Sequence, residues 1–397
     1  MLPNEFLLAV SCCRWPQSSH RDAVIRGRAA QPIDWDKFLR VVERQRIGGL
    51  VYAGLREAGV EAPQTVMKGL AAQAKHIASQ AMKLASEALS LQAMLDEAAI
   101  PAVFVKGTSL GLLAYNNIGV KHAWDIDLLV LPDDVPRVCA KLVAAGYKRV
   151  IPPESLSDER FLVWSAFAHE CVFAKPGNGI YLELHWRLSA NPALLERITA
   201  TSPAQLVPVF SGRTLRTLAD EDLFSYLCMH GAYHGWSRVK WLADLAAWLS
   251  PRQEGEIQQL YRKATADRVG RSAAQGLLLC EQLFALSLAP DFVAELRSDR
   301  VTRLLIAIAL DATAGDAAWR QIDDRLLGNL KIGVSHFLLA NDARAWFREL
   351  FSMSIGWTDF QNIILPQPLY FLYPLLRVPS WLWRRAVRIG QSRQPAA

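Results

Sequence analysis

A chain of 397 residues, 51% hydrophobic and 21% charged, carries enough apolar material for a substantial core spread over two or three domains, which excludes a disordered protein. A net charge of +6 with a pI near 9.0 suits an anionic partner such as a nucleotide, but the charge is too diffuse to imply a stable nucleic-acid complex, and none is expected. Six cysteines, scattered apart from the adjacent Cys12 and Cys13 and without C-x-x-C spacing, fit reduced thiols better than a disulfide or zinc framework, and neither a basic lead-in before Phe6–Val10 nor an apolar run of about 20 residues is present, so the expected location is cytoplasmic.

Residues 1–98 read as an N-terminal helical segment. Asp34-Trp35-Asp36 precedes Phe38, Leu39, Val42, Ile47 and Leu50 at three- and four-residue steps, and the Ala-, Met- and Leu-rich stretch from Val66 to Ala98 has strong helix preference. Its Met and Leu stripe reads as core packing. At Pro101 the pattern changes to an α/β core over residues 99–190. Ala102-Val103-Phe104-Val105 is a short strand, Lys106-Gly107-Thr108-Ser109 a turn, and Leu110 to Tyr115 the following helix. Gly107 removes a Cβ where a ligand would approach the backbone, and the first helical N–H groups beyond it would face an anion.

Next comes Trp124-Asp125-Ile126-Asp127-Leu128-Leu129-Val130-Leu131, bounded by Pro132. Its apolar run reads as a buried strand, so Asp125 and Asp127 share one face, about 6.6 Å apart at roughly 3.3 Å of rise per residue. Two like charges on a mostly buried strand call for a compensating cation, and a hard divalent ion such as magnesium is the simplest one. The competing reading, an acid pair on a solvated sheet edge, fits an arbitrary D-x-D better than one flanked by aliphatic residues on both sides. A helix from about Asp133 to Ala145 should end at Gly146. The runs His169–Ala174 and Ile180–Leu188, around Lys175-Pro176-Gly177-Asn178-Gly179, form a hairpin signal that sets Tyr181, Glu183 and His185 on one face.

From Asn191 the helical period returns and is expected to persist through a larger C-terminal helical domain, 191–397. Within it His230 and His234 have the spacing of a zinc pair but no third ligand nearby. Arg238 and Lys240 read first as surface charges, while Trp241 and Asp244 read as helix-packing residues. The tail from Leu365 to Arg388 ends in a Trp-, Leu- and Arg-rich run. Its composition allows peripheral membrane contact, but a docking helix with arginines turned to solvent is the preferred reading.

The run Val105-Lys106-Gly107-Thr108, then Asp125-Ile126-Asp127-Leu128-Leu129-Val130, Glu183-Leu184-His185-Trp186, His230-Gly231 and Trp241-Leu242-Ala243-Asp244 resembles the uncharacterised nucleotidyltransferase family of the polymerase-beta-like superfamily. The resemblance extends over about residues 35 to 390, with its specific motifs between 103 and 248. It implies an α+β fold in which a small mixed sheet is flanked by N-terminal helices and a larger C-terminal helical domain. It also implies two magnesium ions, replaceable by manganese, and transfer of a nucleoside monophosphate from a nucleoside triphosphate to an unidentified hydroxyl-type acceptor on a small molecule, peptide or protein. Asp125, Asp127 and Glu183 match the metal-binding catalytic carboxylates. Gly107 with Thr108 or Ser109 matches the phosphate turn, while Lys106, Lys121 and His185 are candidate nucleotide contacts. Thr108 stands where Gly or Ser is usual, Lys121 and His122 replace an arginine, and Glu183 replaces an aspartate. The alternative is a catalytically inactive nucleotide-binding or regulatory protein on the same fold. A membrane-associated protein acting through its tail is the remaining alternative.

Overall fold

The computed structural model describes residues 2–354 apart from 211, 315–325 and 341, with scattered positions between 365 and 379. The expected C-terminal tail contact lies largely outside the described residues. Five helices lead: α1 (Asn4–Cys12), α2 (Ser19–Ala29), α3 (Trp35–Gln45), α4 (Gly48–Glu57) and the long α5 (Gln64–Glu97). Asp34 begins α3 as expected of an N-cap, its carboxylate accepting from the Lys37 N–H at 2.9 Å. The Leu part of the α5 stripe is core, with Leu84, Leu91 and Leu95 all buried, but the Met part is not uniformly so, since Met82 is 51% exposed.

The central unit follows: β1 (Ala102–Phe104), α6 (Thr108–Tyr115), β2 (Asp125–Val130), α7 (Val135–Ala144), β3 (Lys148–Ile151), α8 (Asp158–Phe167), β4 (Glu170–Lys175) and β5 (Ile180–His185). The sheet runs β1-β2-β5-β4-β3 and is mixed. Strands β2 and β5 are parallel, while β1 with β2, β4 with β5 and β3 with β4 are antiparallel. Gly146, at φ +84°, ends the turn after α7 as its position predicts. The hairpin turn between β4 and β5 is exposed over 176–179, and Gly177 and Gly179 both take positive φ.

Alternation along β2 and β5 sorts their side chains onto two faces. Ile126, Leu128, Val130, Leu182 and Leu184 pack with α5, α7 and Phe173 in one core. The opposite face carries Asp125, Asp127, Leu129, Glu183 and His185, and Leu129 joins a second core built from the N-terminal helices and those that follow the sheet.

Helical character does not persist unbroken after residue 191. Strands β6 (Ala204–Phe210) and β7 (Arg213–Leu218) form an antiparallel ribbon before the helices resume. Its register, with Val207 opposite Leu215, turns both residues inward, and the Gln92 side chain on α5 pins it by donating to the Thr214 carbonyl at 2.8 Å and accepting from the Arg216 N–H at 2.7 Å. Then come α9 (Asp220–Tyr233), α10 (Val239–Leu249), α11 (Glu254–Ala266), α12 (Gly270–Phe284), α13 (Pro290–Ser298), α14 (Arg300–Ala314), α15 (Leu326–Leu339) and α16 (Ala343–Ser354). The architecture is α+β, a small mixed sheet among helices. No described helix is long and apolar enough to cross a membrane.

One buried glutamine ties the first helices to the last ones. Gln45, fully buried at the end of α3, donates to the Thr313 carbonyl at 2.9 Å and accepts from the Val239 N–H at 2.8 Å. Val239 opens α10, so this amide satisfies one of that helix's unpaired N-terminal donors. As a result Arg46 and the start of α10 stand on one wall, facing the acid-bearing side of the sheet.

Candidate active site

A cavity of about 1080 Å³ lies over that side of the sheet, large enough for a nucleotide and a second substrate. Its floor is built by strand register. Asp127 on β2 is the direct partner of Glu183 on the parallel β5, and Asp125 is the partner of Tyr181. Neighbouring strands lie about 4.8 Å apart, so Asp127 and Glu183 sit side by side on one face. Donor atoms of Asp127, Glu183 and His185 all fall within 4.8 Å of one another, whereas Asp125 stands outside that group and lines the cavity.

Asp127 is 1% exposed, and neither of its oxygens receives a well-directed hydrogen bond. Its compensation is ionic: the Lys106 ammonium lies 2.7 Å from Oδ1 and the His185 Nε2 lies 3.5 Å from the same oxygen. Burial opposes the Asp127 charge, but Lys106 and His185 outweigh it and hold the carboxyl well below the usual carboxylate range. Burial likewise opposes the Lys106 charge, and Asp127, with Asp125 and Glu183 further off, holds that ammonium well above its ordinary value. Glu183 behaves differently. Burial, together with the neighbouring Asp127 and Glu170 charges, pushes it up to about 7 even though His185 stands 3.7 Å away. His185 is raised to about 10 because Glu170, Asp127 and Glu183 overcome its burial.

Gly107 sits between β1 and α6 with φ +71° and ψ −122°, a conformation that demands glycine, while an added Cβ would meet only the Asp125 carbonyl at 3.7 Å. Backbone conformation, not crowding, therefore sets the residue. Lys106 and Gly107 line the cavity; Thr108 and Ser109 do not. The Ser109 hydroxyl turns back to the Lys106 and Phe104 carbonyls at 3.2 and 3.3 Å, so it stabilises the turn and is not directed at a ligand. Lys121 reaches the cavity wall, but its ammonium is 3.0 Å from Asp244 in a buried pair whose carboxylate also accepts from the Tyr115 hydroxyl at 2.9 Å. Asp244 is thus the packing residue expected, with Lys121 as its counter-charge.

The surface-charge reading of Arg238 and Lys240 is corrected, since both line the cavity. Burial, with Lys121 and Arg46 nearby, lowers the Lys240 ammonium to about 7. Arg46, Arg40 and Arg44 complete this cationic side, and sequence reasoning had no access to them because they come from α3 and the residue after it, far from the motifs. His230 and His234 also line the cavity, their rings 4.6 Å apart and both against Trp241, which is aromatic packing and not a ligand set. His169 and Glu170 were missed as site residues. A hairpin centred on Gly177-Asn178 pairs Glu170 with His185, and that pairing was the available signal.

The arrangement, acids on a strand-built floor opposite a cationic wall, can hold a divalent cation and a polyphosphate together. No curated protein and no solved structure matches the chain. A family model described as uncharacterised nucleotidyltransferase matches residues 31–285, a span that takes in the glycine turn, both acid-bearing strands and the cationic wall, and the chain therefore belongs to that family.

Proposed function

We propose that this chain is a magnesium-dependent nucleotidyltransferase that moves a nucleoside monophosphate from a nucleoside triphosphate to a hydroxyl of an acceptor, releasing pyrophosphate. The observation that carries the reading is the in-register pair of Asp127 and Glu183 on the cavity floor, with both Asp127 oxygens buried and free of directed hydrogen bonds. Carboxylate oxygens suit magnesium or manganese, so Asp127 and Glu183, aligned across β2 and β5, with Asp125 brought in from the same face of β2, are the residues that would hold two such ions. When bound, those ions would supply Lewis acidity to the acceptor hydroxyl and charge neutralisation to the phosphates.

The remaining work belongs to the chain's own groups. Glu183 Oε2 would accept the acceptor proton as the new bond to the α-phosphorus forms and the bond to pyrophosphate breaks. Lys106, drawn against Asp127, would turn part of its charge to the phosphates once the carboxylates have another partner. The turn's contribution to anion binding would come from the backbone at Gly107, which lines the cavity, and not from the Thr108 and Ser109 hydroxyls. Arg46, Arg238 and Lys240 on the facing wall would neutralise the β- and γ-phosphates. Burial of the floor strengthens each of these interactions relative to water.

The test incubates the full chain with magnesium and each labelled nucleoside triphosphate, measures pyrophosphate release, and then seeks in a cell extract the species that gains mass. Asp127→Asn and Glu183→Gln should each abolish release. If magnesium-nucleotide raises the unfolding temperature but no triphosphate is turned over in the presence of extract, the chain is a catalytically inactive nucleotide-binding protein instead.

A further inference from the structure

Next to the carboxylate floor, at the end of the β4–β5 hairpin, is a second group of donors with different chemistry. Glu170 opens β4 and is the register partner of His185, which closes β5. His185 Nδ1 lies 3.1 Å from Glu170 Oε2, and His169 Nε2 lies 3.4 Å from the same oxygen. One donor atom from each of the three residues fits within a sphere of mutual distances under 4.8 Å. The backbone fixes this convergence, because the Trp186 N–H donates to the His169 carbonyl at 3.0 Å, which carries the pairing one step past Glu170 and His185 and holds His169 diagonal to His185. Their ring centroids are 6.1 Å apart.

The His185 side chain is 6% exposed, and neither ring nitrogen makes a well-directed hydrogen bond. Its Nδ1 faces Glu170 and His169, while its Nε2 faces Asp127 at 3.5 Å and Glu183 at 3.7 Å. An imidazole with one nitrogen toward a mixed donor group and the other toward carboxylates has the layout of metal-bound histidines, whose second nitrogen donates to an acid. Two imidazoles and one carboxylate are a poor set for magnesium, which prefers oxygen, and a good one for zinc. All three residues line the cavity, so a fourth position stays open to water or a ligand.

The geometry points to a zinc-class divalent cation site formed by His169, Glu170 and His185, separate from the carboxylate set and joined to it through the His185 ring. An ion on Nδ1 fixes the imidazole's proton on Nε2, aimed at Asp127 and Glu183. The ion thereby orients a neutral donor toward the floor without entering it. This inference does not depend on the proposed transfer reaction, because it concerns binding alone.

Metal-free full-length protein is titrated with zinc and, separately, with cobalt, whose visible absorption reports coordination. One equivalent of zinc should bind and survive a large excess of magnesium. His169→Ala and Glu170→Gln should each weaken it by about 100-fold or more, beyond the 10–100-fold typical of residues that only orient ligands. His234→Ala and Asp125→Asn should keep full stoichiometry and an unchanged cobalt spectrum. Circular dichroism of the metal-free variants establishes folding, and Glu170→Gln, which keeps size and shape, stands if His169→Ala does not fold. Absence of stoichiometric zinc overturns the site. So does equal affinity in Glu170→Gln, or loss of zinc in His234→Ala, which would move the ion to the other histidine pair.

Discussion

Lys106→Met isolates the electrostatics of the cavity floor. The ammonium lies 2.7 Å from Asp127 Oδ1, and at an effective dielectric of about 20 that pair is worth about 6 kcal/mol of Coulomb energy before desolvation is subtracted. Removing one partner of a buried pair leaves the other charge uncompensated, which costs about 3–5 kcal/mol. His185, 3.5 Å away on the same oxygen, offsets part of that loss and places the expected value at the lower end. For a chain of this size each kcal/mol corresponds to roughly 1–2 °C, extrapolating from 2–4 °C for shorter domains, so the unfolding midpoint of Lys106→Met should fall by roughly 5 °C in metal-free buffer. Asp127→Asn in the same background should recover most of that loss, because the amide removes the stranded charge. Differential scanning fluorimetry of the wild type, both single variants and the double variant gives the coupling directly. Magnesium should raise the midpoint of Lys106→Met more than that of the wild type, since the ion replaces the missing charge. Strict additivity of the two substitutions, within about 0.5 kcal/mol, would refute the view that Lys106 is the internal counter-ion of Asp127.

Other outcomes follow from the same geometry. Gly107→Ala forces a φ of +71° on a residue with a side chain, at about 1–3 kcal/mol, and should weaken nucleotide protection against thermal unfolding while an alanine at the exposed Gly177 leaves it intact. Lys240 is held near 7 by burial and by its cationic neighbours, so a bound polyphosphate should raise its pKa and draw in a proton. Below pH 7 the group is charged in both states and contributes no linkage. Above it, affinity should fall as pH rises and binding should take up protons. Calorimetry with tripolyphosphate in buffers of different ionisation enthalpy measures that uptake, and Lys240→Met should remove it; the same uptake in the variant would assign the proton elsewhere. Arg46→Ala should weaken tripolyphosphate binding with little change in magnesium affinity, as the cationic wall and the carboxylate floor belong to different elements.

The parts of the site that could be read from sequence are those governed by period and punctuation. The alternation in Asp125–Val130 and Ile180–His185 placed the acids on one face, and the Pro-Gly-Asn-Gly cluster fixed the hairpin between β4 and β5. The β6–β7 ribbon escaped notice because its strands alternate weakly: Leu206 is 61% exposed and Pro208 interrupts the ladder. The cationic wall was illegible for another reason. It depends on the Gln45 amide joining α3 to α10 across nearly two hundred residues, and no local pattern encodes such a contact. Ser109 shows the limit of a motif, since spacing offers a hydroxyl beside the glycine while only the fold decides that it serves the Lys106 and Phe104 carbonyls.

Strand β5 is paired along both edges, in parallel with β2 and antiparallel with β4. Sliding Glu183 by one position would break two ladders at once and turn its carboxylate to the opposite face. The exposed turn at 176–179 therefore carries no responsibility for the alignment of Asp127 with Glu183. A fluorophore, an affinity handle or extra residues grafted at Asn178 would ride on the molecule's outside while the cavity floor below keeps its spacing, which makes that turn the natural attachment point for a capture tag.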